Sequence, residues 1–118
     1  MAAHIELNHI NLTVDDVQAA RTFLEKYFGL RTLAERGRNF ATLMDDDGLV
    51  LTLVGGGRSA VRYPKTFHIG FMQSTAEDVD ELNERLRADG FGVERPSHQH
   101  GYTFYVEAPG GFTVEVLC

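Results

Sequence analysis

The sequence predicts an α+β fold made of two copies of a βαβββ module. Together the copies form a curved, half-open eight-stranded mixed sheet with the helices outside. Three observations predict this. The alternating run Leu7-Asn8-His9-Ile10-Asn11-Leu12 returns as Thr66-Phe67-His68-Ile69-Gly70-Phe71. A segment of helical period follows each run. Landmarks also keep their separation: His9 to His68 is 59 residues, Asp16-Val17 to Asp78-Val79 is 62, and Gly48 to Gly111 is 63. Repetition at this period means one supersecondary unit written twice. A single copy is a small helix-covered sheet that cannot close a core, so the copies must pair, within one chain or swapped between two.

The elements follow in order. Residues 5–14 alternate as a strand, with Ile10, Leu12 and Val14 on one face and Leu7, His9, Asn11 and Thr13 on the other. Asp15 and Asp16 suit a helix start, where a carboxylate satisfies free backbone donors. Val17, Ala20, Phe23, Leu24, Tyr27 and Phe28 then recur at helical spacing up to a C-capping Gly29. Strands are expected at 30–35, 39–44 and 49–54. They are separated by the turns Arg36-Gly37-Arg38 and Asp45-Asp46-Asp47-Gly48. Gly55-Gly56-Gly57-Arg58-Ser59 opens a linker of about 55–64, closed by Pro64, between module one (about 4–55) and module two (about 65–118). In the second module Ser74-Thr75-Ala76-Glu77 has capping-box spacing. Val79, Leu82 and Leu86 make an apolar stripe, and Gly90 ends the helix. Short strands are expected at 91–94, 102–107 and 112–117, the last two joined by Pro109-Gly110-Gly111.

Global properties narrow the function. The 118 residues suit one domain with a proper core. A 43% apolar and 24% charged composition is that of a soluble globular protein. A net charge of −6 with scattered Lys and Arg leaves no footprint for nucleic acid. No apolar run reaches the roughly 18 residues of a membrane span. Met1-Ala2-Ala3-His4-Ile5-Glu6 has no basic-then-apolar signal pattern. With Cys118 the single cysteine, a reduced, cytoplasmic setting is expected.

Strand parity locates the chemistry. Opposite His68 lie Phe67, Ile69 and Phe71, and opposite Glu115 lie Phe112, Val114 and Val116, all suited to packing under a helix. His9, His68 and Glu115 therefore point to the uncovered face. A carboxylate buried alone in Phe-Thr-Val-Glu-Val-Leu costs several kcal/mol unless paired, protonated or metal-bound. Two imidazoles and a carboxylate suit a divalent ion with open positions. Each residue also has a bland reading: a strand histidine is usually just that, and Glu115 could pair with an arginine. His98 and His100 read as a solvated loop, Asp45-Asp46-Asp47 as a turn, and Cys118 as inert. Asn11, Met72, Tyr102 and Tyr105 are candidates to line a substrate pocket, and Arg95 to meet an anionic substrate.

Four segments carry a resemblance over nearly the whole length. They are Leu7-Asn8-His9-Ile10, Asp16-Val17 through Tyr27-Phe28-Gly29-Leu30, Phe67-His68-Ile69-Gly70-Phe71, and Tyr105 through Glu115. The last resembles an Asp-Pro-x-Gly-x-x-x-Glu ending with Ala108 in place of Asp. Together they resemble the vicinal oxygen chelate superfamily of glyoxalases, bleomycin-resistance proteins, extradiol dioxygenases and fosfomycin-resistance enzymes. The resemblance implies a homodimer, with swapped modules as one form, and four ligand places at His9, Thr52, His68 and Glu115. Three carry ligand-type residues. Thr52 departs from the four-ligand pattern and falls to the substrate side.

The expected function is a divalent-metal enzyme (Zn, Mn, Fe or Ni) acting on a bidentate oxygen-bearing small molecule, with Glu115 as ligand and base. The alternative is a metal-free, bleomycin-resistance-like protein that sequesters a drug in a dimer cleft. A net charge of −6 suits a cationic drug, while the absence of Trp does not favour a stacking groove.

Overall fold

The computed structural model describes residues 3–57 and 60–118. Met1, Ala2 and, from the expected linker, Arg58 and Ser59 lie outside the described residues. The chain divides into two compact units, Met1–Val61 and Arg62–Cys118. No helix among the described residues is long and apolar enough to cross a membrane.

The first unit contains β1 (His9–Val14), α1 (Val17–Phe28), β2 (Arg31–Glu35), β3 (Phe40–Met44) and β4 (Val50–Gly55). Its sheet runs β1-β4-β3-β2, with β1 parallel to β4 and the other pairs antiparallel. The Asp16 side chain caps α1 by accepting from Ala19 N at 3.0 Å, and Gly29 leaves the helix with φ 68°. Leu12, Val14, Phe23, Leu24, Leu43 and Leu53 are buried where α1 meets β3 and β4. Asp45 Oδ1 accepts from Asp47 N and Leu49 N, each at 2.9 Å, so the acidic run is the tight turn its composition suggests.

The second unit repeats the plan. It contains β5 (His68–Met72), α2 (Ala76–Ala88), β6 (Ser97–His98), β7 (Tyr102–Ala108) and β8 (Phe112–Leu117), with sheet order β5-β8-β7-β6. β5 is parallel to β8, as β1 is to β4. Val79, Leu82, Leu86, Phe104, Val114 and Val116 are buried between α2 and the sheet. The sequence repeat is thus a repeat of architecture: two mixed four-stranded sheets, each with one helix.

Four local expectations are corrected. The first strand begins at His9 rather than residue 5, because its partner β4 begins at Val50, opposite His9. Asn8 O still accepts from Val50 N at 2.9 Å, but residues 5–7 pass beyond that partner, and Ile5 is 90% exposed. The last glycines of the first module are not all linker. Gly55 ends β4 and Gly56 N donates to Val14 O at 3.2 Å. The α2 cap is Thr75, whose hydroxyl accepts from Asp78 N, one residue later than the expected capping box. Finally, no strand forms at 91–94. Phe91 N donates to Leu86 O and the Asn83 amide donates to Glu94 O, so α2 takes up the polar groups a strand partner would need. The ladder forms only at Ser97–His98, after Pro96.

Candidate metal centre

Sheet register gathers the functional side chains of the second unit. In β8, Glu115 pairs with Gly70 on the parallel side and Tyr105 on the antiparallel side. Paired residues share a face, so Glu115 and Tyr105 stand together with no side chain at Gly70. A Cβ at Gly70 would meet only Leu117 Cδ2 at 3.8 Å and Glu115 O at 4.0 Å, so the floor beside the carboxylate is open. The neighbouring row is His68, Thr113 and Glu107.

Glu115 is 4% exposed, and its two oxygens are treated differently. Oε2 accepts from Thr103 Oγ1 at 2.6 Å and from His100 Nε2 at 2.6 Å. Oε1 faces His68 Nε2 at 3.2 Å. The Tyr105 hydroxyl also hydrogen-bonds the carboxylate. Burial pushes the Glu115 carboxyl up, but the hydrogen bonds from Thr103 and His100, the charge on His100 and the Tyr105 hydroxyl together hold it below the ordinary carboxylate value. Tyr105 is pushed up by burial, by the Glu115 charge and by their hydrogen bond.

This has a consequence for stability in acid. A carboxyl held low contributes stability that is present above its unfolded value, near 4.5, and is lost as pH falls through the folded value. Glu115→Gln lacks that contribution. Urea midpoints for wild type and variant should be well separated at neutral pH and converge as pH falls below about 4.5. A constant separation across that range would contradict the charge network.

The His68 ring is oriented from behind. Its Nδ1 lies 3.0 Å from Thr66 O, and a carbonyl only accepts, so Nδ1 carries a proton. In the neutral ring Nε2 then presents a lone pair to Glu115 Oε1. Two acceptors at 3.2 Å require a proton or a cation between them. Two donors each about 2.1 Å from a common ion lie about 3.0–3.4 Å apart at octahedral or tetrahedral angles. The pair therefore fits a divalent metal, and its imidazole is held from behind as metal-binding histidines usually are. The Tyr105 ring meets the His68 ring edge-on, centroids 5.5 Å apart, and steadies it further. Among the described residues no group of three or more His, Cys, Asp or Glu side chains could hold a metal ion. The His68–Glu115 pair is the part of the expected ligand set that the second unit brings together.

The remaining expected residues are placed as follows. Met72, 72% exposed, shares the β5 face of His68. Tyr102 faces α2, with its hydroxyl bonded to Asp80 Oδ1 at 2.6 Å, so its ring lies on the opposite side of β7 from Tyr105. That bond, then burial and the Asp80 charge, push its hydroxyl pKa up. Arg95 is a surface residue 3.9 Å from Glu84. In the first unit His9, Asn11 and Thr52 share one face, with Asn11 opposite Thr52 and the ring of His9 bonded through Nδ1 to Asn8 Oδ1 at 2.8 Å. Thr52 holds in β4 the place that Glu115 holds in β8.

Two site residues lay outside the sequence expectation, His100 and Thr103. Thr103 was legible: a hairpin turning at Pro109-Gly110-Gly111 sets Tyr105 opposite Glu115 and Thr103 opposite Leu117, on one face. His100 was not, because a loop directs it. The neighbouring His98 stacks obliquely on Tyr102, centroids 4.9 Å apart, away from the carboxylate.

The comparisons agree with this architecture. The family model of the Glyoxalase/Bleomycin resistance protein/Dioxygenase superfamily matches residues 6–116. The chain is 30% identical over 111 residues to the glutathione transferase FosA of Serratia marcescens, covering 93% of this chain and 78% of that protein. A possible glyoxalase from Bacillus cereus superposes with a TM-score of 0.93 at 58% identity, covering 98% of this chain and all of that one. The fosfomycin resistance protein FosX of Listeria monocytogenes shares the fold, with a TM-score of 0.78 at 24% identity, covering 98% of this chain and 90% of that one. The chain belongs to the Glyoxalase/Bleomycin resistance protein/Dioxygenase superfamily.

Proposed function

We propose that this protein is a small divalent-metal enzyme acting on a small molecule that offers the ion two oxygens. His68 Nε2 and Glu115 Oε1 hold the ion. His9 holds the matching place in the first unit and is a further candidate ligand by that repeat alone. Bound zinc, manganese, iron or nickel supplies Lewis acidity, polarising the oxygen-bearing group of the substrate. Glu115 is also the candidate base for a substrate proton, on leaving the ion. Tyr105 and Met72 meet the substrate from the same face, and Asn11 and Thr52 hold the matching face of the first unit. The similarity to a glutathione transferase favours a group-transfer reaction among the chemistries of the superfamily. The protein works as a cytoplasmic homodimer.

The observation that carries this reading is the His68–Glu115 pair, Nε2 and Oε1 3.2 Å apart with His68 Nδ1 turned to Thr66 O. The test is metal analysis of protein purified without a polyhistidine tag, with sizing in solution. One ion per chain, lost in His68→Ala, is the expected result. Metal-free wild-type protein after exposure to Zn²⁺, Mn²⁺, Fe²⁺ and Ni²⁺ above pH 6 would sink the reading, and a strict monomer would sink the dimer.

A second reading, metal-free sequestration of a small molecule, is favoured by one observation. A pocket of about 400 Å³ in the second unit is lined by Tyr63, Lys65, Phe67, Glu107 and Phe112, with the Tyr63 and Phe67 rings stacked at 4.5 Å. Tight binding of a drug by metal-free protein, unchanged in His68→Ala, would select it.

A further inference from the structure

The loop between β6 and β7 has no assigned role, yet it ends over the most buried carboxylate of the second unit. We propose that His100 is a positioning residue that locks the Glu115 carboxylate by one oxygen, so that the other oxygen alone is presented for metal. This rests on the metal reading above.

Three observations converge. First, Oε2 receives two donors at 2.6 Å, the Thr103 hydroxyl and His100 Nε2. A carboxylate oxygen has two in-plane lone pairs, and both are then engaged. Oε1 is left facing His68, with the Tyr105 hydroxyl as the one further donor beside the carboxylate. A carboxylate free to rotate could offer either oxygen or both to the ion, whereas one held at Oε2 binds through Oε1 alone. Second, the Thr103 hydroxyl has one proton and a competing acceptor, Val116 O at 3.1 Å. Thr103 alone is a divided restraint, and His100 completes it. Third, the loop is pinned where it must be. A Cβ on Gly101 would lie 2.8 Å from Cys118 O, closer than side chains approach backbone. Only glycine lets the chain pass that close, and Tyr102 and Cys118 then exchange backbone hydrogen bonds at 3.1 Å. Gln99 N donates to Gly101 O at 2.8 Å, which puts His100 at the apex of a tight turn. The position of the His100 ring is thus built into the backbone, although the side chain is 55% exposed.

The test is titration of metal-free protein with Mn²⁺, followed by electron paramagnetic resonance, for wild type, His100→Ala, His100→Gln and Gly101→Ala. Circular dichroism checks that each variant is folded. Outer-sphere partners of a metal ligand typically contribute about 10–100-fold in affinity. His100→Ala should keep one ion per chain with a Kd raised by about that factor. His100→Gln, which keeps an N–H donor of similar reach, should recover most of the loss. Gly101→Ala should weaken binding with the imidazole still present, because the new methyl displaces the loop. An unchanged Kd in His100→Ala overturns the proposal. So does complete loss of the ion in both His100 variants, which would make His100 a ligand. Absence of Mn²⁺ binding by wild type would defeat the metal reading itself and this proposal with it. The two failures are distinguishable, since one shows in wild type and the other only in the variants.

Discussion

Glu115→Ala should abolish the metal binding proposed above while leaving the fold largely intact. The two effects separate because the partners of Glu115 have alternatives. The Thr103 hydroxyl can turn fully to Val116 O at 3.1 Å, and His100, half exposed, can bond water. The cost in stability is then that of lost hydrogen bonds to a charged group, about 1.5–3 kcal/mol. Among the described residues no other carboxylate shares the Gly70–Glu115–Tyr105 row, so none stands in for Glu115 beside His68 Nε2. Losing a ligand should exceed the roughly 10–100-fold typical of outer-sphere changes. Calorimetric titration with Zn²⁺ or Mn²⁺ beside a urea melt would read both quantities. Retained stoichiometric metal in the folded variant would show that the His68–Glu115 pair is not the metal centre.

Phe112→Ala has the opposite profile and the largest expected effect on folding. Phe112 is 2% exposed and lies on the helix-covered face of β8 with Val114 and Val116. Truncating a buried Phe costs about 3–5 kcal/mol through lost burial and the cavity left behind. The adjacent Thr113 lies on the other face, with its hydroxyl on Glu107 Oε1 at 2.9 Å. Thr113→Ala should cost no more than about 1 kcal/mol. Denaturant midpoints for the two variants test the assignment of faces. Equal losses would contradict the alternation on which the site depends.

Parity and repetition, both legible in the sequence, decided most of the architecture. Side chains alternate across a strand whatever surrounds it, so the apolar set Phe112, Val114 and Val116 placed Glu115 on the open face before any strand had a partner. The repeat foretold two halves of one plan, and each half is a four-stranded sheet of the same strand order. Length of pairing was not legible, because a strand ends where its partner ends. Residues 5–7 alternate as well as 9–14 do, yet β4 has no residues to receive them. Likewise 91–94 looks like a strand, but α2 captures its polar groups first.

At the centre the same division holds. The sequence alone determined that His68 and Glu115 each stand opposite an apolar strand face, since residue period suffices for that, and the parallel pairing of β5 with β8 then sets them on one sheet. Only tertiary structure decided which oxygen of Glu115 is free. That choice depends on the approach of Gly101 to Cys118 O and the resulting place of His100. It depends also on Thr66 O fixing the proton of His68. These are contacts between segments distant in sequence, or orientations of single rings, and neither leaves a periodic trace in the chain.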